Sequence, residues 1–344
     1  MKRLFILTLW SIGLATCIFF FKKRNPTTIA AGEGLVIKKE WLAQNNNPIT
    51  PKKDCRPPDQ TFLTFPEWYL VFSPEEQADY FKQHTASTFP YMSHTAQIWK
   101  SYKIVKNQIK DNFPTNTGYH FMIWVIGTSA TVEYSIKACY ETIIGRLTDT
   151  YEVITAEDKF NAKYTQDYVD FIKDRPWYEF DFKSRLKFLW TSTSIFGGNF
   201  CRKTERKYML TAELTVKYAY GKLIGLGTKT IYDEAMPTTV VVLENDSLQS
   251  VPRYDKFATA INLLAKNGHS FKEIAGNNSA ILLTVLAPAS YESNFKYTQI
   301  VFTQPITSKL TVKRIALAVP VLQLNQLLNQ LNNEKIQIEH IFDY

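Results

Sequence analysis

"RIALAVPVLQLNQLLNQLNNEKIQIEHIFDY", Arg314 to Tyr344, changes texture twice. "RIALAVP" is a short apolar run of strand type, "LQLNQLLNQLNN" (322–333) reads as a helix, and "KIQIEHIFDY" (335–344) returns to a strand offering Ile336, Ile338 and Phe342 to a core. The same texture reaches back to Pro237. Strands are expected at "TTVVVLE" (238–244), "SAILLTVLA" (279–287), "YTQIVFTQP" (297–305) and "KRIALAVP" (313–320), and a helix at "YDKFATAINLLAKNG" (254–268), closed by Gly268. Strands with helices on one face imply an α+β sandwich over 237–344.

The strand–helix–strand of 314–344 also looks like half of a ferredoxin-like unit, and it resembles the small-molecule-sensing ACT domain. That resemblance implies a sensor function for the C-terminal region. The glycine usual at the first strand–helix turn of that family is replaced here by Pro320 and Val321.

Upstream, 61–236 reads as a helical domain, with candidates at 91–111, 118–145, 157–173, 178–195 and 203–232. "SPEE" (Ser73 to Glu76) has the form of a capping box with proline at the first helical position, and "TFPE" (Thr64 to Glu67) repeats it. On this reading Thr64 and Ser73 each start a helix and Glu67 is a capping carboxylate. In 118–145 apolar residues at 122, 125, 126, 132, 136 and 143 form a one-sided stripe. The uncharged run Phe121 to Val132 is too short to span a bilayer, so a buried core helix is expected.

The longest apolar run is "LFILTLWSIGLATCIFFF", Leu4 to Phe21. As a helix its eighteen residues measure about 27 Å, close to a bilayer core of about 30 Å. Phe19 to Phe21 run into Lys22 without a small-residue cleavage site, so an uncleaved anchor is expected over 1–24, with 25–60 as a linker rich in Asn and Pro. This anchor explains most of the charge. Five of the forty basic residues lie in 1–24 with no acid, and the remainder has 35 bases against 32 acids, or +3 of the total +8. No basic stripe for nucleic acid remains, since "KIVKNQIK" (Lys103 to Lys110) is typical of a solvated helix face. The expected setting is the bacterial inner membrane, single-pass, with the bulk of the chain periplasmic. Outside the anchor stand Cys55, Cys139 and Cys201. Cys55 and Cys201 lie in loop-like contexts where one disulfide is feasible, whereas Cys139 reads as a small core residue.

The chain lacks the sequence signatures of a serine-hydrolase elbow, a phosphate-binding loop, a zinc protease or a dinucleotide site, so no cofactor and no metal are expected. "SRLK" (184–187) and "SNFK" (293–296) match a Ser-x-x-Lys pattern at the frequency of chance. Glu133 and Glu213 each precede a lysine by four residues, Lys137 and Lys217, in apolar surroundings. Such pairs are ordinarily helix-surface salt bridges. Were Glu67, Glu133, Glu213 and His120 to converge, they would form an acid–base centre. His340 is expected to point outward. Trp68, Trp124, Trp177 and Tyr178 are the candidates for lining a hydrophobic ligand site.

"FPEWYLVFS", "IGTSATVEYSIKACYETIIGR", "PWYEF", "VPRYDKFATAINLLAKNG" and "EHIFDY" together resemble a family of uncharacterised bacterial membrane-anchored proteins with an aromatic-Pro-Glu-Trp motif and a Glu-His-aromatic-Asp-Tyr end. The likeness implies a bacterial origin and this architecture, and no mechanism. The expectation is therefore a membrane-anchored binding or accessory module, with the membrane as partner through residues 4–21 and a protein or hydrophobic small molecule as the second. The alternatives are an envelope hydrolase using buried glutamates, and a small-molecule sensor built on the C-terminal region.

Overall fold

The apolar runs after Pro237 become two antiparallel sheets, and the region before them is mainly helical, so the chain is α+β. The structure, a computed structural model, describes residues 37–43, 47–57, 59–150, 153–228, 237–292 and 294–344. The expected anchor at 4–21 and the boundary at 236/237 lie outside the described residues. No helix among the described residues is long and apolar enough to cross a membrane.

The first sheet has the order β2-β1-β3, with β1 Thr238–Leu243, β2 Leu248–Pro252 and β3 Phe271–Ile274. The second consists of β4 Ala280–Pro288, β5 Gln299–Pro305, β6 Val312–Pro320 and β7 Gln337–Ile341, in the order β5-β6-β4-β7. Both β6 and β7 run antiparallel to β4, so they are parallel to each other across it. Two helices belong to this region, α7 at Asp255–Lys266 and α8 at Leu324–Asn333.

Successive side chains of a strand point to opposite faces. On β4 and β6, Ile281, Leu283, Val285, Ile315, Leu317 and Val319 meet Phe257 and Ile261 of α7 and Leu327, Leu328 and Leu331 of α8. The other face, with Leu282, Val301, Phe302, Ala316 and Ala318, is covered by Phe62, Phe65, Trp68, Tyr69 and Phe72. A sheet with no wet face reads as continuous apolar runs, which is why 279–287 shows no alternation.

Those five rings belong to α1, Gln60–Phe81, one helix that runs through Pro66 and Pro74. The two expected starts are thereby corrected. Each proline removes an amide donor, yet Phe65 packs 4.7 Å, centroid to centroid, from Phe302 and 6.1 Å from Phe342, and with this face buried the helix continues through both. Thr64 does not cap; its hydroxyl donates to the Gln60 carbonyl at 2.6 Å.

The remaining long helices among the described residues are α2 Tyr91–Ile109, α3 Thr117–Tyr140, α4 Ala156–Ile172, α5 Phe182–Ser192 and α6 Phe200–Thr228. A π-turn, Glu141–Gly145, and the short Arg146–Thr148 helix extend α3. The expectation for α3 as a core helix fails. Only Ile123, Gly127, Tyr134 and Ala138 are buried within it, while Phe121, Val125, Val132, Ile136, Ile143 and Leu147 along α3 and its extension are exposed. Helical spacing shows that a face is apolar, not which way it looks. Here the charged pairs of α3 look inward, and the apolar stripe looks out.

Within the stretch read as linker, Ile49 and Thr50 donate their amides to Glu273 of β3 at 2.8 and 2.9 Å. Gly276, in the turn after β3, has φ +79°, and a Cβ there would fall 2.7 Å from Cys55 Sγ, so glycine is required on both counts. Among the described residues no disulfide joins Cys55, Cys139 or Cys201, so the feasible Cys55–Cys201 bridge is not made.

Candidate functional site

The four acid–base candidates fall into three separate places. Glu67 lies inside α1, where it cannot cap. Tyr119 of α3 donates its hydroxyl to Glu67 Oε2 at 2.5 Å, and Thr64 Oγ1 lies 3.0 Å from the same hydroxyl. Burial pushes the Glu67 carboxyl above its ordinary range, against the hydrogen bond from Tyr119 and the positive charge of Arg253. Arg253 is itself committed, with Nε donating to Asp343 Oδ2 and Nη2 to the Tyr344 hydroxyl, both at 2.6 Å.

His120 accepts or donates at Nδ1 with the Tyr102 hydroxyl, 2.9 Å away. It borders a cleft of about 40 Å³ with Asp59, Lys106, Lys110 and Phe113, little more than the volume of one water. Burial, then Lys106, lowers its pKa.

Glu133 and Glu213 do come together, through lysines. Lys137 Nζ lies 3.0 Å from Glu133 and 2.9 Å from Glu213, and Lys217 Nζ lies 3.1 Å from each, closing a four-charge ring between α3 and α6. Both expected i,i+4 pairs are present, but cross-linked. Burial alone would raise the Glu133 carboxyl; Lys217 and Lys137 outweigh it and hold the group at about 2. Glu213 is lowered by the same two lysines against burial. With two of each sign, all ionised at neutral pH, the ring has no proton to exchange and acts as a polar clamp.

A larger polar network escaped the sequence reading. It contains Tyr69, Ser73, Glu76, His94, Gln97, Tyr134, Arg314 and Glu339. Arg314, the third residue of β6, donates Nε to Glu339 Oε2 at 2.6 Å, Nη2 to Glu339 Oε1 at 2.7 Å, and Nη2 to Glu76 Oε1 at 3.3 Å. The Thr307 amide donates to Glu76 Oε2 at 2.8 Å. His94 Nδ1 stands 2.8 Å from Ser73 Oγ, and its Nε2 stands 3.6 Å from Glu76 Oε2. Serine, imidazole and carboxylate in that sequence are the parts of a nucleophile–base–orienter relay. Two facts argue against that role. Ser73 and His94 are both completely buried, and the Ser73 hydroxyl is shared with Tyr134 at 2.6 Å. Burial, with Arg314, lowers the His94 pKa to about 3, which makes it a poor base near neutrality. Burial also raises Glu76 to about 7, because it outweighs the share of Arg314 left over from Glu339. The available signal was Arg314 itself, a charge amid the buried run "KRIALAVP"; reading Ser73 and Glu76 as caps concealed its partners.

The aromatic candidates are likewise dispersed. Trp68 is buried and its ring lies 3.8 Å from His340, centroid to centroid. His340 is therefore inside, not outward as expected: the β4–β7 register shift puts it on the face opposite Ile338, and α1 covers that face too. Trp177 stacks on Tyr220 at 5.4 Å, Tyr178 lies over Gly221 and Gly225 of α6, and Trp124 is exposed. None of them lines the larger cleft, about 260 Å³, which is bounded by Tyr80, Pro90, Gln97, Pro305, Thr307 and Leu310. Small-molecule sites usually run from about 300 to 1,000 Å³. No group of three side chains suited to a metal ion exists among the described residues. Of the Ser-x-x-Lys matches, Ser184 is tied to Asp181, whose Oδ1 accepts its amide at 3.0 Å; Ser293 lies outside the described residues.

No protein-family model, curated protein or solved structure matches this chain.

The most extended feature is thus the outer surface of α3 and α6. On α6, Tyr208, Val216, Leu223 and Leu226 are exposed, while Arg202, Arg206 and Lys207 are buried. Arg206 makes a two-point contact with Glu141, Nη1 to Oε1 at 2.7 Å and Nη2 to Oε2 at 3.0 Å, and Arg202 Nη2 donates to Asp158 at 3.0 Å. Both helices keep most of their ionic groups inside, Lys222 of α6 excepted, and present apolar groups outside. Exposed apolar surface is a common feature of interaction sites.

Proposed function

We propose that this protein is a membrane-tethered binding or accessory module of the bacterial envelope, held in the inner membrane by Leu4 to Phe21 with its bulk in the periplasm. It works by contact through the outer faces of α3 and α6. The observation that carries this reading is the inverted polarity of α3, with Leu147, Phe121 and Ile136 at 75%, 64% and 61% exposure while Glu133, Lys137 and Glu141 are engaged with α6. A ferredoxin-like tendency of the C-terminal region belongs to the same reading, supported by β6–α8–β7 flanking β4. The hydrolase alternative finds no support at Glu67, His120, Glu133 or Glu213, each engaged as described above. The sensor alternative would have to use the 260 Å³ cleft beside Pro305 and Leu310.

The test is a photo-crosslinking amino acid placed at Ile136 of the full chain in native membranes. Adducts to protein or lipid at 136, and none from a control placed at exposed Lys183 of α5, are the expected result. No adduct at 136 overturns the reading.

A further inference from the structure

The inverted pair of helices also constrains what covers it. Phe121, Val132 and Ile143 are eleven residues apart, as are Val125, Ile136 and Leu147. Eleven residues make about three turns, so Phe121, Val125, Val132 and Ile136 form one stripe along α3, about 22 Å long at 1.5 Å per residue, and Ile143 and Leu147 stand exposed beyond it, past the phase change of the π-turn. Between Phe121 and Leu147 the only acids are Glu133, held in the ring, and Glu141, buried on Arg206. Glu133 keeps 39% of its side chain exposed, and the charge it shows along the stripe is balanced by Lys137 and Lys217.

We propose that the outer faces of α3 and α6 rest on an anionic lipid bilayer, with the stripe seated at the boundary of headgroups and acyl chains. This rests on the interaction-module reading above and names its partner. Three observations support lipid over protein. Ionic groups turned to the inside of a helix pair and apolar groups to the outside are the arrangement expected where the surroundings are apolar. At the start of the stripe Phe121 and Trp124 are exposed, and their chain neighbour His120 shares the small cleft with Lys106 and Lys110, two exposed lysines at the end of α2. Aromatic and basic groups together favour the interface of an anionic membrane.

The point of attachment agrees with this placement. Ile37, the first described residue, is buried and its amide donates to Gln108 Oε1 at 2.9 Å, at the end of α2 that leads into α3. The fifteen residues 22–36 reach at most about 50 Å when extended. The body is therefore kept within reach of the bilayer from the same end that carries Phe121, Trp124 and the lysines.

The test uses the full chain reconstituted in vesicles containing phosphatidylglycerol and a lipid with a diazirine-bearing acyl chain. After illumination and trypsin, lipid adducts are expected on the peptide Asp111–Lys137 as well as on the peptide carrying 4–21. In Val132→Asp/Ile136→Asp the adduct yield on Asp111–Lys137 is expected to fall about tenfold, because two carboxylates must then be desolvated. The 4–21 adducts should persist as internal control. Replacing phosphatidylglycerol with phosphatidylcholine should lower the Asp111–Lys137 yield, and an equal yield overturns the anionic preference. Adducts confined to the 4–21 peptide overturn the lipid proposal. If position 136 nevertheless crosslinks to a protein in native membranes, the interaction reading stands with a protein partner; if it crosslinks to nothing, both fall.

Discussion

Helices α1 and α3 are similar in length and both rich in rings, yet they are held in opposite ways. Fifteen residues of α1 are buried, against four of α3. The first is fixed by apolar contact with a sheet and the second by ion pairs to α6. Burial of rings contributes through area removed from water and is insensitive to pH. A clamp of ion pairs contributes little net energy where solvent reaches it, but it fixes the rotation of the helix. Apolar content alone therefore does not say which helix is in the core; the location of the charges does.

Mutations should separate the two. Phe65→Ala, at the centre of the α1–sheet contact, is expected to cost about 3–5 kcal/mol in denaturant unfolding. A loss below about 1 kcal/mol would mean that α1 is not the sheet's cover.

Titration offers the next contrast. His94 and His340 are each lowered from 6.5 to about 3 by burial, with Arg314 adding to the effect on His94 and Lys173 on His340. The unfolded chain thus takes up protons that the folded chain refuses, and stability falls as pH drops below about 6.5. Glu76 acts in the other sense. Raised from 4.5 to about 7, it contributes stability at low pH that is lost as pH rises through its folded value. Between pH 4.5 and 6.5 the two histidines make stability rise with pH, while Glu76, and with it the raised Glu67 and Glu141, oppose them, so Glu76→Gln should make the slope more positive. An unchanged slope in that variant would remove Glu76 from the balance. The ring on α3 behaves differently: Glu133, held at about 2, adds stability above 4.5 that disappears only as pH falls toward 2.

Smaller effects belong to α3. Lys217→Met is expected to cost about 1 kcal/mol, since Glu133 keeps 39% of its side chain exposed and solvent screens the pair. A cost above about 3 kcal/mol would mark the ring as fully dry. Ile136→Ser should change stability by no more than about 0.5 kcal/mol without a partner, and a larger loss for the purified chain in detergent would place Ile136 in a core.

Much of this was legible beforehand. β1, β4, β5, β6, α7 and α8 appear close to where their apolar runs indicated, because a doubly covered sheet leaves a strong signal in sequence. β2 and β3 did not stand out: "LQSVP" is mostly exposed and β3 is four residues with Lys272 and Glu273 inside it. The ring was half visible, as two i,i+4 pairs whose cross-links are tertiary. Most opaque was the network around His94, since Ser73 and Glu76 satisfied a local capping pattern while their partners His94, Tyr134, Arg314 and Thr307 lie 18 to 238 residues away.

Phe65 and Phe302 meet across 237 positions of chain. At synthesis rates of about 5–20 residues per second, α1 waits roughly 10–50 s on the ribosome before its strands exist. During that interval five large rings have no native surface to bury against, which makes the nascent chain a client for chaperones well before the sheet can close over them.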